Sequence, residues 1–113
     1  MAESYKVLGQ DVSVPLTDTT IYTVSSLKQA AVSCIIVTNA SGSDGDYTLS
    51  IVPSADAGSA TQSKHKIVSG KQIKTNESHE LKGGITLSTG DQIRVYSDAL
   101  NNVIVNVYGV ELS

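Results

Sequence analysis

Between Gly84 and Ser97 the chain reads Gly-Ile-Thr-Leu-Ser-Thr-Gly-Asp-Gln-Ile-Arg-Val-Tyr-Ser. Two short runs, Ile85-Thr86-Leu87 and Ile93-Arg94-Val95-Tyr96, flank Ser88-Thr89-Gly90-Asp91. That cluster is a turn, in which Gly90 can take the positive φ that other residues resist. Ile93 and Val95 fall on one face of the second run; Gln92, Arg94 and Tyr96 fall on the other. A period of two marks a half-buried strand. The stretch therefore predicts a β-hairpin or a sheet corner in an antiparallel domain.

The same punctuation recurs along the chain. Residues 1–19 are weakly patterned. Val12, Val14 and Leu16 alternate with Ser13 and Pro15, which suits an edge strand, where proline is tolerated. The alternative is an amino-terminal arm, including Leu8-Gly9-Gln10, that reaches a neighbouring subunit. Residues 20–113 then form the sandwich domain. Thr19 to Val24 reads as a strand with Thr20, Tyr22 and Val24 on one face and Ile21 and Thr23 on the other. Gln29 to Asn39 is the longest apolar run, with Val32, Cys34 and Ile36 on one face and Ala31, Ile35 and Val37 on the other. A strand apolar on both faces is covered on both. In a two-layer sandwich the second cover would be another subunit, so Ile35 and Val37 become interface candidates.

After a turn at residues 40–45, Tyr47, Leu49 and Ile51 alternate with Thr48 and Ser50, and Pro53 ends the run. Residues 54–63 read as a surface loop that can be mobile. Lys64 to Val68 and Gln72 to Leu81 read as short or edge strands anchored by Ile67, Ile73 and Leu81, and Gly83-Gly84 as a turn. A polar turn at 98–102 precedes a last strand, Val103 to Leu112, with Val103, Val105 and Val107 inward and Gly109 as a bulge. Seven to eight strands at regular spacing predict an all-β, jelly-roll-like antiparallel sandwich.

Composition agrees with one such domain. At 113 residues, 40% of them apolar, the chain can bury one core. Phe and Trp are absent, so Val, Ile, Leu and Ala must fill it. A net charge of −3 argues against a nucleic-acid binder that relies on bulk electrostatics. Five lysines and two glutamates give residues 64–82 a local +3, against −6 for the remainder. This is either a solvated strand face or a docking patch for an acidic partner, with Lys64, Lys66, Lys71 and Lys74 at its centre. The single cysteine, Cys34, excludes an internal disulfide and is expected to be a buried, inert thiol. No signal-peptide pattern and no apolar run of roughly 20 residues are present, so a soluble protein made in a reducing cytoplasm is expected.

Chemistry is sparse. His65 and His79 have no neighbours at metal-ligand spacing and are expected to be surface polar residues. Asp44 and Asp46 around Gly45 lack the closing glutamate of a calcium loop. Gly83-Gly84 lacks the Lys-Ser/Thr of a phosphate loop, and no serine stands in a nucleophile elbow. No catalytic, metal or cofactor residues are assigned, and the chain is expected not to be an enzyme. A lectin-like sugar site stays open, since it needs only Asp, Asn and an exposed Tyr such as Tyr47 or Tyr96.

One resemblance spans nearly the whole chain. It rests on Leu8-Gly9-Gln10, Ile21-Tyr22-Thr23-Val24, Ala31-Val32-Ser33, Val37-Thr38-Asn39, Asp46-Tyr47 and Lys64-His65. It continues through Gly84-Ile85-Thr86-Leu87, Gly90-Asp91-Gln92-Ile93-Arg94-Val95-Tyr96 and Val107-Tyr108-Gly109-Val110-Glu111. In this order and spacing the motifs resemble a family of small virion structural proteins of tailed bacteriophages, including those of cyanobacteria. Two departures stand out: Ser25-Ser26-Leu27-Lys28 replaces a Pro-Ala-Gly-like turn, and the 54–63 loop is not shared. The resemblance implies a non-enzymatic part of the virion, made in the host cytoplasm. A trimeric capsid decoration or cement protein that binds the major capsid protein is the first expectation. A tail, neck or fibre part, or a surface carbohydrate-binding module, is the alternative. No cofactor, nucleic acid or membrane is implied. Interface candidates are Leu8, Gln10, Ile35, Val37, Lys64, Lys66, Lys71 and Lys74.

Overall fold

The computed structural model describes residues 3–12, 16–98 and 103–112, with residues 3–5 as backbone alone. Eight strands account for most of it: β1 (Glu3–Val12), β2 (Thr19–Thr23), β3 (Gln29–Asn39), β4 (Gly45–Val52), β5 (Lys66–Ile73), β6 (Ser78–Leu87), β7 (Gln92–Ser97) and β8 (Val103–Leu112). They form two four-stranded antiparallel sheets, ordered β1-β8-β3-β6 and β2-β7-β4-β5. Six of the seven connections cross between the sheets; only β4 to β5 stays within one. This is the jelly-roll arrangement, and the all-β sandwich expected from the sequence is the fold.

The inner faces carry the alternation. Leu49, Ile93 and Val95 of one sheet meet Ile35, Val37, Val103, Val105 and Val107 of the other, all 1% exposed or less. Small branched side chains suit the roughly 10 Å gap between packed sheets, which explains how the core closes without Phe or Trp. Asn39 is the exception, a fully buried amide. Its Nδ2 donates to Ser43 O (2.9 Å) and Ile73 O (3.1 Å), while its Oδ1 accepts from Ser41 N (2.9 Å). It ties the β3–β4 turn to the end of β5.

Several local expectations change. The first strand lies earlier than Val12–Leu16, pairing Glu3–Val12 with β8. Leu16 sits in a turn, and Ser13, Val14 and Pro15 lie outside the described residues, as do residues 99–102 of the expected last turn. β6 continues through Gly83-Gly84, so those glycines are a bulge within the strand and not a turn. β6 and β7 belong to different sheets, which makes Ser88–Asp91 a sheet corner and not a hairpin.

Bulges account for the largest correction. Against β8 the register of β3 shifts between Val32 and Cys34, leaving Ser33 as an extra residue opposite Tyr108 and Gly109, whereas against β6 the extra residue lies on β6, where Gly83 and Gly84 stand opposite Ser33. One inserted residue reverses the inward set. Ala30 and Val32 point inward before the bulge; Ile35 and Val37 point inward after it. The run is not apolar on both faces, and Ile35 and Val37, at 0% and 1% exposure, are core residues unavailable to a partner. A second shift in β2, between Thr20 and Tyr22, likewise buries adjacent Ile21 and Tyr22 together. Gly109 is not itself the bulge but faces it.

Candidate functional site

The loop joining β4 to β5 folds back over the outer face of the β2-β7-β4-β5 sheet. Beneath it Val52 is fully buried, and Ser50, His65 and Arg94 are nearly so. Arg94 holds the loop from below: Nη2 donates to Ala57 O (2.7 Å), and Nη1 donates to Ser59 O and Thr61 Oγ1 (both 3.0 Å). Its Nε donates to Gln92 Oε1 at 3.0 Å. His65 holds the loop's other arm. Its Nδ1 accepts from the Gln62 backbone N–H, so Nε2 carries the proton and donates to Asp56 Oδ2, each at 3.0 Å. Asp56, also 3.6 Å from Lys64 Nζ, has its carboxyl held below the ordinary value by the His65 hydrogen bond first and Lys64 second. The loop is thus pinned rather than free, and His65 is not a surface residue.

His79 is half-buried, its side chain 20% exposed. The Tyr47 hydroxyl, from β4, donates to His79 Nδ1 on β6 (3.0 Å), and His79 Nε2 donates to Glu77 Oε1 (2.9 Å). This Tyr–His–Glu chain looks like a proton relay, yet Tyr47 is 3% exposed and its hydroxyl pKa is raised, by burial first and Glu77 second. It links the two sheets.

The uncovered part of the same outer face is a cleft of about 210 Å³. Its floor comes from three neighbouring strands, where Thr48 stands opposite Tyr96 and Ser50 opposite Lys66. Asp18, just before β2, and Thr61, on the pinned loop, form its walls. Sequence reading singled out Tyr96 and Lys66 separately but had no means of placing them side by side.

The other outer face, on β1-β8-β3-β6, is different in character. Ile36, Ile104, Tyr108 and Val110 are half-buried there, with Val7 46% and Val12 40% exposed along the β1 edge. Cys34 also lies on this face, half-buried instead of enclosed; burial first, and Glu80 second, push its thiol pKa up. Glu80 and Lys82 pair with each other at 3.1 Å.

Comparison with protein-family models and with curated proteins finds no match.

The remaining interface candidates are scattered. Leu8 packs partly into the core, and Gln10 is exposed and donates to Asn106 Oδ1. Lys66 projects from the outer face of β5, whereas Lys71 pairs with inward-facing Tyr47 across a register shift. Lys64 is in the pinned loop, Lys74 in the β5–β6 turn, and Lys82 on the other sheet. The lysines of 64–82 therefore do not form one basic face, because the segment crosses from one sheet to the other. Among the described residues, no group of three or more His, Cys, Asp or Glu converges as metal ligands, and no helix is long and apolar enough to cross a membrane.

Proposed function

We propose that this chain is a non-enzymatic structural protein of a tailed-phage particle, a decoration protein that docks on the outer capsid surface as an oligomer. The observation that carries the reading is the outer face of β1-β8-β3-β6. Ile36, Ile104, Tyr108, Val110, Val7 and Val12 lie on it around the Gln10–Asn106 pair, and its Glu80–Lys82 charges neutralise each other. Such a sheet face suits a flat protein surface better than an anionic polymer or lipid headgroups. The jelly-roll topology supports it by analogy alone, since that fold serves viral capsids as well as lectins. The whole-chain resemblance supports it independently.

The test is to mix purified protein with capsids lacking it and image them by cryo-electron microscopy. Regular density over the capsid lattice is the expected result, lost in an Ile36→Lys, Ile104→Lys double variant that still folds. Density confined to the neck or tail would move the protein there. Light scattering on the free protein should give about three times 11.8 kDa; a strict monomer at high concentration would overturn the trimer.

A further inference from the structure

The cleft on the β2-β7-β4-β5 face lies on the opposite side of the sandwich from the proposed docking face. It has the makings of a binding site of its own. At about 210 Å³ it is smaller than the roughly 300–1,000 Å³ of pockets that enclose drug-sized ligands. A single small ring is about the size that fits within it. The lining carries one carboxylate, Asp18, and one ammonium, Lys66. The two opposed charges leave the lining with no net charge, so it favours neither an anion nor a cation overall. Hydroxyl groups surround them at Thr48, Ser50 and Thr61, and Tyr96 adds a ring face with a hydroxyl tip.

Asp18, Lys66 and the Tyr96 hydroxyl make no hydrogen bond or ion pair with any described residue. Others are held in place. Thr48 Oγ1 accepts from Gly70 N (2.9 Å), and Thr61 Oγ1 accepts from Arg94 Nη1 (3.0 Å), leaving each hydroxyl hydrogen available as a donor. The buried Arg94 thus fixes the wall against the floor. An acceptor, a cationic donor, amphoteric hydroxyls and one aromatic face within a small neutral cleft match one chemistry best. That chemistry is a ring with hydroxyls around its rim and an apolar C–H face.

We infer that the cleft lined by Asp18, Thr48, Ser50, Thr61, Lys66 and Tyr96 binds one neutral pyranose unit of a glycan. The ring's C–H face lies on Tyr96, and its hydroxyls are shared between Asp18 and Lys66. The inference stands whether or not the protein decorates a capsid.

The experiment is an amide-resolved NMR titration of the full chain with neutral monosaccharides, backed by a glycan array. Saturable shifts clustered at Thr48, Ser50, Thr61, Lys66 and Tyr96 are expected for at least one sugar. Tyr96→Ala and Asp18→Asn should each weaken that binding at least ten-fold, while Tyr108→Ala, on the opposite face, should leave it unchanged. If Tyr96→Ala does not fold, Lys66→Gln with Asp18→Asn serves instead. No saturable shift with any sugar and an empty array would overturn the assignment. So would shifts that cluster elsewhere, or binding indifferent to the cleft variants.

Discussion

The Tyr22 hydroxyl, on β2 of one sheet, donates to Glu111 Oε2, on β8 of the other, at 2.9 Å. Lys6 Nζ lies 2.6 Å and Lys28 Nζ 4.0 Å from the other oxygen of the same carboxylate. Tyr47 makes the corresponding crossing through His79. Each sheet-to-sheet bolt is a tyrosine whose ring fills the core and whose hydroxyl reaches a polar partner. Tyr22→Phe keeps the ring and removes the bond. It should cost roughly 1.5–3 kcal/mol in urea denaturation, as for a hydrogen bond to a charged group. Glu111→Gln should cost less than Glu111→Ala, because an amide can still accept from Tyr22.

Acid should weaken the fold through identified groups. Lys6 first and Tyr22 next hold the Glu111 carboxyl below its ordinary value; the Lys74 backbone N–H and His79 do the same for Glu77, and His65 and Lys64 for Asp56. A carboxylate with a depressed folded pKa contributes stability above its unfolded pKa and loses it as pH falls through the folded one. Thermal midpoints should therefore be flat at neutral pH and decline from about pH 4.5 downward. Tyr22 has its pKa raised, by burial first and Glu111 second, so it acts at the other end. Stability from it is complete below the unfolded value and should fall as pH rises past about 10. A midpoint that stayed level from pH 5 to pH 2 would contradict the acid branch.

What could be read from the sequence divides along a physical line. Strand phase within one uninterrupted run was legible: Tyr47, Leu49 and Ile51 of β4, and Val103, Val105 and Val107 of β8, point where their alternation says. Phase across a bulge was not. Ser33 looks like any strand serine, and only the partners Tyr108 and Gly109 show it as an inserted residue. Sheet membership was equally hidden, since Ser88–Asp91 has the same turn chemistry whether it closes a hairpin or rounds a corner. The buried charge of Arg94 and the imidazole of His65 depend on where the 54–65 loop lands. Polar residues carry no periodic signal of burial, so both sites passed as surface.

Arg94 shows what that loop is worth. Lysine keeps the charge but presents a single ammonium where the guanidinium reaches three loop oxygens and Gln92 at once. Arg94→Lys should destabilise the protein by roughly 2–3 kcal/mol. It should also open residues 54–63 to limited proteolysis and speed hydrogen exchange there before the rest of the sandwich is affected. Exchange rates unchanged in that loop would mean that Arg94 does not hold it.

Asn39 is a comparable test inside the core. Leucine fills a similar volume but leaves Ser41 N and Ile73 O without their partner, Ser43 O keeping only the Ser41 hydroxyl. Burial of unsatisfied groups costs roughly 1–3 kcal/mol each, and water can reach some of them at the turn. Asn39→Leu should therefore lose about 2–4 kcal/mol despite being more apolar. A chemical denaturation curve showing no loss, or a gain, would make the amide dispensable.

Gly109 tests the bulge directly. A Cβ there would stand 2.2 Å from Ala31 O and 3.0 Å from Val32 Cα, backbone atoms of the strand that carries the inserted Ser33. Relieving that overlap means moving β3 away from β8, the two central strands of their sheet. Gly109→Ala should cost at least about 3 kcal/mol, above the usual range for a point change. Gly58→Ala meets nothing within 4 Å and has no positive φ, so it should fall within roughly ±0.5 kcal/mol of the parent. Deleting Ser33 should instead reverse the inward set of Ile35 and Val37 and abolish cooperative folding. If the deletion folded normally, the assignment of Ser33 as the inserted residue would fail.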